Sequence, residues 1–152
     1  RAGLRVPTLT PPTLERMSSF FQLIGASYYN PIDIGGMNRS NLESIVNALA
    51  TDSNIDTVAL MLSTMGTRRT MQEVETELRL YSQARDRVGK PVMAMFWAPI
   101  PYRGGASLEE LDDTLQGLGI PVFPSPGRAA RALKRMVDYY RFQQSLEGGD
   151  EE

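Results

Sequence analysis

The chain has no cysteine and no histidine. The first absence removes disulfides, thiolate zinc sites and thiol nucleophiles, and the second removes the commonest general base and the commonest metal ligand. Charge of one sign is also lacking: 16 Lys and Arg stand against 18 Asp and Glu, a net of -2. That balance gives no electrostatic footprint for DNA or RNA, so no nucleic-acid partner is expected. Long hydrophobic runs are missing too. Stretches such as "VMAMFWAPI" stop at about nine residues, against the ~20 that a membrane-spanning helix requires. With no signal-peptide pattern, a cytoplasmic location is expected. Arg1 at the start, in place of methionine, suggests a piece of something longer.

What is present fits one globular domain. The 152 residues are 41% apolar without a long polar tract, and a domain of this size buries roughly 70% of its unfolded surface. Pro11 after Thr10 marks a helix start, where a missing N–H costs nothing, and the helix is expected to reach about Phe21. "ASYYNPIDI" reads as extended, with Asn30 held out of the helical region by Pro31, and supplies a first strand. Ser40 with Glu43, Thr70 with Glu73 and Ser107 with Glu110 are three capping boxes, opening helices to about Ala50, Arg87 and Gly119. Between them "TVALMLS", "PVMAMFW" and "IPVF" read as strands, the apolar runs as strands covered on both faces. Ser125 and Pro126 open a last helix to about Gln143, with Ala130, Leu133, Val137 and one of Tyr139 and Tyr140 turned inward. One domain over residues 1–143 is therefore expected, followed by a disordered acidic tail or linker start over 144–152.

Strands alternating with helices specify parallel pairing with helices on both faces, an α/β doubly wound, three-layer, flavodoxin-like sheet of about four to five strands. Ligands in such sheets sit beyond the carboxyl ends of the strands. The loops there are Gly35 to Arg39, Ser63 to Arg69, Trp97 to Ala106 and Pro124 to Gly127. Gly35 and Gly36 bare backbone N–H groups before a helix N-terminus, which favours an anion; they also suit a simple tight turn. In "STMGTRRT", Ser63, Thr64, Thr67 and Thr70 offer hydroxyls, Gly66 permits close approach, and Arg68 and Arg69 suit phosphate; solvated arginines and capping hydroxyls are the plainer reading. Asp33 is expected to form a turn rather than to take a proton. Trp97 suits packing, and the eight scattered methionines fill the core.

The order of pieces resembles a known family. "NPIDIGGMNRSNLESIVNALATDSNIDTVALML", "GKPVMAMFW" and "LGIPVFPSPGRAARALKRMVDYY", from about Gly3 to Tyr140, resemble the third, flavodoxin-like domain of the NDP-forming acyl-CoA synthetases, relatives of succinyl-CoA synthetase. The resemblance implies enzymes that convert a carboxylic acid, CoA and a nucleoside triphosphate to acyl-CoA, the diphosphate and phosphate, through an acyl phosphate and a phosphohistidine. The matching domain does not carry that histidine. It helps hold the phosphate, and the match places that role on Gly35, Gly36 and Met37 and on Ser63, Thr64, Met65, Gly66 and Thr67. Only Gly66 remains of the glycine pair that succinyl-CoA synthetase has in the second loop. The implied partners are the CoA-binding, phosphohistidine and ATP-grasp lobes, and CoA, ATP or GDP/ADP and Mg belong to the parent enzyme. The fragment alone is expected to bind no cofactor and to be inactive.

Two other readings compete. "STMGTRRT" partly resembles the phosphate loop of an FMN-binding flavodoxin, with Trp97 and Tyr102 flanking the ring, although Met65 and Arg68 replace hydroxyls and the loop follows the second strand. The domain also fits a non-catalytic structural or dimerisation block.

Overall fold

The computed structural model describes residues 2–21, 26–34, 41–63, 71–97 and 108–147. In chain order the elements are α1 (Pro11–Ser18), α2 (Leu42–Thr51), β1 (Val58–Ser63), α3 (Met71–Val88), β2 (Val92–Trp97), α4 (Leu108–Gly117), β3 (Val122–Phe123) and α5 (Pro126–Glu147). The strands form one sheet in the order β1-β2-β3. Both pairings are parallel, with Leu60 beside Ala94 and Ala94 beside Val122. This is the α/β, flavodoxin-like arrangement that alternation specifies, with three strands among the described residues rather than four to five.

Strand alternation decides what each face meets. Leu60, Val92 and Ala94 point to one side and join Leu78 of α3 and Leu115 and Ile120 around α4 in the main core; Ala94, Leu115 and Ile120 have no exposed surface. Two successive crossovers in one direction place α3 and α4 on that same face. The other face is covered by α5, which packs on β2 and β3, with Met93 and Ala129 buried there. α5 does not extend its cover to β1, where Ala59 is exposed and Met61 is 57% exposed. The expectation of a strand covered on both faces therefore holds for β2 and fails for β1.

A second core joins the N-terminal elements: Met17 and Phe21 of the α1 region meet Ile45 and Ala48 of α2, with Tyr28 and Ile32 against them. Leu42 and Val46 then join α2 to Leu80 and Tyr81 of α3. The expected first strand is spent on this packing. Residues 26–34 fold back on themselves through an antiparallel bridge in which Ser27 N–H donates to Asp33 O at 2.7 Å and Asp33 N–H returns to Ser27 O at 2.8 Å. The turn holds a cis Asn30–Pro31 bond. Pro31 has no N–H for a ladder, Asn30 Nδ2 donates to Pro7 O at 2.8 Å, and Tyr28 meets Phe21 edge-on at 5.7 Å.

Helix ends follow their residues. Pro11 starts α1 as expected, although Thr10 makes no side-chain cap. Gly89 closes α3 with φ +70° and Gly119 follows α4 with φ +67°. At Gly119 the closure is a Schellman motif: Ile120 N–H reaches Leu115 O at 2.8 Å and Gly119 N–H reaches Gln116 O at 2.9 Å. The hydrophobic pair that accompanies such a motif is Leu115 with Ile120. The capping residues Ser40, Thr70 and Ser107 lie outside the described residues. α5 runs on through Glu147, past the expected end at Gln143. Tyr139 and Tyr140 are both exposed, 56% and 57%, so neither turns inward; the sheet beneath them has ended.

Candidate functional site

Parallel strands deliver their carboxyl ends to one edge. Ser63 closes β1 in register with Trp97 at the end of β2, and Phe123 closes β3. α5 opens on this edge: Arg128 N–H donates to Ser125 Oγ at 3.4 Å and to Ser125 O at 3.1 Å, and Ala129 N–H donates to Ser125 O at 3.1 Å. Ser125 therefore caps the helix, with Pro126 in the first turn where no N–H is needed. Gly127 leaves the backbone open, its nearest neighbour being Arg131 Nη1 at 3.6 Å from an added Cβ.

Of the residues that sequence assigns to phosphate, Ser63 falls at the carboxyl end of β1. Gly35, Gly36, Met37, Thr64, Met65, Gly66 and Thr67 lie outside the described residues. So do Arg68, Arg69, Tyr102 and the loop after Trp97. Asp33 closes the fold-back of residues 26–34, its backbone bonded to Ser27 in both directions.

The opposite, amino edge carries a recess lined by Val46, Ala50, Val58, Tyr81, Arg85, Lys90 and Val92. Its two cations are engaged by backbone carbonyls. Lys90 Nζ donates to Asp52 O at 2.5 Å and Leu49 O at 3.3 Å. Arg85 Nη1 donates to Leu118 O at 2.9 Å and Gly119 O at 2.7 Å. Both charges tie loops together, and with a mainly apolar lining the recess is packing space rather than an anion site.

A residue that the sequence does not single out is Asp52, just after α2. The residue is 1% exposed. Its Oδ2 accepts from Thr10 N and Thr10 Oγ1, each at 2.9 Å, and its Oδ1 accepts from Asn54 N at 2.8 Å. Burial pushes the carboxyl pKa up, but hydrogen bonds from Thr13, Thr10 and Asn54 outweigh it and hold the group below its ordinary value. The donor-rich "LTPPT" was the available signal, though nothing local says that a carboxylate 42 residues away completes it.

No protein-family profile matches the chain. It is 27% identical over 138 residues, 90% of its length, to acetate–CoA ligase (ADP-forming) I of Archaeoglobus fulgidus. The crystal structure of PH0766 from Pyrococcus horikoshii OT3 superposes with a TM-score of 0.66 at 27% identity over 88% of the chain. Both likenesses support a domain of the NDP-forming acyl-CoA synthetase type. The apo dinucleotide forming acetyl-coenzyme A synthetase 1 of Ca. Korarchaeum cryptofilum shares its fold, with a TM-score of 0.65 over 94% of the chain at 19% identity. The chain spans 18% of the length of the curated relative and 29% and 30% of the two solved chains. Among its described residues no helix is long and apolar enough to cross a membrane, and no group of three His, Cys, Asp or Glu is placed to hold a metal ion.

Proposed function

We propose that the chain works as one lobe of an NDP-forming acyl-CoA synthetase, presenting the carboxyl edge of its sheet to a phosphate or phosphohistidine supplied by a neighbouring lobe. The observation that carries this reading is the parallel order: Ser63, Trp97 and Phe123 end on one edge, and the capped start of α5 lies there too. Backbone N–H groups of the loops at Gly35 to Met37 and Ser63 to Thr67 would hold the anion, and helix N-termini favour its charge. The parent reaction joins an acid to CoA at the expense of a nucleoside triphosphate. Without histidine or cysteine, the chain supplies neither the phosphorylated imidazole nor the thiol; these come from another lobe and from CoA. Its own contribution is positioning, lobe packing and anion stabilisation, and alone it is inactive. Nucleotide and Mg fall to the ATP-grasp lobe of the parent enzyme, and the assembled enzyme works in the cytoplasm without nucleic acid or membrane.

The test is an amide NMR titration with phosphate, then CoA, then FMN, following Gly35, Gly36, Gly66 and Thr67. Saturable phosphate shifts confined to those residues are expected. A response to FMN alone would transfer the domain to flavin chemistry, and silence toward all three would leave turns without an anion site.

A further inference from the structure

α5 is longer than the sheet it covers. Its 22 residues extend about 33 Å at 1.5 Å per residue, whereas the six residues of β2 extend about 20 Å. The first half is consumed by the sheet: Ala129 is 1% exposed, and Ala130, Ala132 and Leu133 are half-buried. Beyond it Met136 is 44% exposed, Tyr139 56%, Tyr140 57%, Phe142 59% and Leu146 58%. Half of the ten large exposed hydrophobics among the described residues fall on this one stretch, which sets it apart from ordinary scattered surface residues.

Its spacing identifies what it fits. Ala129, Ala132, Met136, Tyr139, Gln143 and Leu146 recur at alternating steps of three and four, the 3.5-residue period by which one helix lies along another. The first pair sits in the domain, and the last four continue the same seam into the open. Gln143 is the one polar residue in the exposed seam, the kind of position that sets register. In an antiparallel pair centred on Arg141, Met136 meets Leu146 of the second copy and Tyr139 meets Gln143. These last two already pair within one chain, where Gln143 Nε2 donates to Tyr139 Oη at 2.8 Å. Lys134, ion-paired with Asp138, and Arg141 lie on the far side of the helix by phase, and antiparallel helices align their dipoles favourably. At roughly 100 Å² of exposed surface per residue, Met136, Tyr139 and Leu146 in the seam with Tyr140 and Phe142 flanking it bury at most about 1,000 Å² over the two copies, the lower limit for a specific interface.

We infer that the outer half of α5 is a self-association surface, through which two copies of this chain pair antiparallel about a two-fold axis that crosses the seam at the level of Arg141. The interface is small, so the dimer is weak, with a Kd on the order of 10–100 µM. It lies at the far end of α5 from the carboxyl edge, so pairing leaves the proposed phosphate-facing loops open.

Sedimentation velocity of the full chain from about 5 to about 500 µM should bracket this equilibrium. A monomer–dimer transition is expected, and Leu146→Glu should raise its midpoint more than about tenfold, a cost of ~1.4 kcal/mol, with unchanged circular dichroism. Because the chain has no cysteine, Tyr139→Cys and Gln143→Cys chains mixed under mild oxidation report register directly. With equal amounts of the two chains, mixed disulfides should exceed the two-to-one ratio over either homodisulfide that random collision would give. A chain that stays monomeric throughout overturns the proposal and points to another domain as the cover of this face. A dimer that ignores Leu146→Glu, or homodisulfides in excess, overturns it equally.

Discussion

Replacing Asp52 tests how the N-terminal segment is held. The carboxylate is 1% exposed and accepts bonds from Thr10 N, Thr10 Oγ1 and Asn54 N at 2.8 to 2.9 Å. Bonds to a charged acceptor contribute about 1.5–3 kcal/mol each, but the set shares one acceptor group and does not sum. Asp52→Ala strands the Thr10 and Asn54 amides, while the Thr10 hydroxyl keeps Thr13 Oγ1 at 3.0 Å, and should cost about 3 kcal/mol. Asp52→Asn keeps one acceptor but sets an NH2 group against donors, at a cost of about 2 kcal/mol. In urea unfolding, with a slope of roughly 1–3 kcal/mol/M, either loss moves the midpoint by about a molar unit. The advantage of Asp52 over Asn also depends on pH. Its folded pKa lies below the ordinary 3.8, so above 3.8 the ionised form contributes fully; as pH falls from there through the folded value, the unfolded chain takes up the proton first and the advantage disappears. A cost under about 0.5 kcal/mol at neutral pH, or an advantage unchanged down to strongly acid pH, would refute the assignment.

The two glycine stops separate backbone strain from crowding. Gly89→Ala places a Cβ in open space at φ +70° and should cost about 1 kcal/mol of left-handed strain. Gly119→Ala, at φ +67°, also brings its Cβ within 2.8 Å of Arg85 Nη1, so Arg85 must give up its carbonyl partners; urea midpoints should rank it about 1 kcal/mol the worse. Leu115→Ala empties a fully buried position in the main core and should cost about 2–5 kcal/mol by the same measurement. Met61→Thr, 57% exposed on the bare face of β1, should change stability by less than about 0.5 kcal/mol.

Local chemistry explains which elements could be read in advance. Gly89 and Gly119 stop helices because their backbones need positive φ, and Pro11 and Pro126 start helices because their missing N–H is not wanted there; neither effect depends on distant partners. Apolar runs likewise announced β1, β2 and β3. Misreadings arose where a distant neighbour decides. Residues 26–34 had strand-like composition, but Phe21, Ile45 and the Pro7 carbonyl capture them. The periodicity of α5 promised an inward tyrosine, yet period alone does not say where the sheet ends. Within the site, the carboxyl edge was legible because parallel topology follows from alternation, and Ser63 stands where that topology puts it.

The segment before α1 contains no helix or strand, yet it is sewn to three places far along the chain: Pro7 O to Asn30, Thr8 O to Asn54 and Thr10 to Asp52. Anyone dividing a longer polypeptide into separately expressed lobes would find the start of α1 a tempting place to cut. Cloning from there would strip a buried carboxylate of both its Thr10 bonds and leave two side-chain amides without their partners. The useful boundary lies ahead of Pro7, and the excised lobe should carry its irregular leader with it.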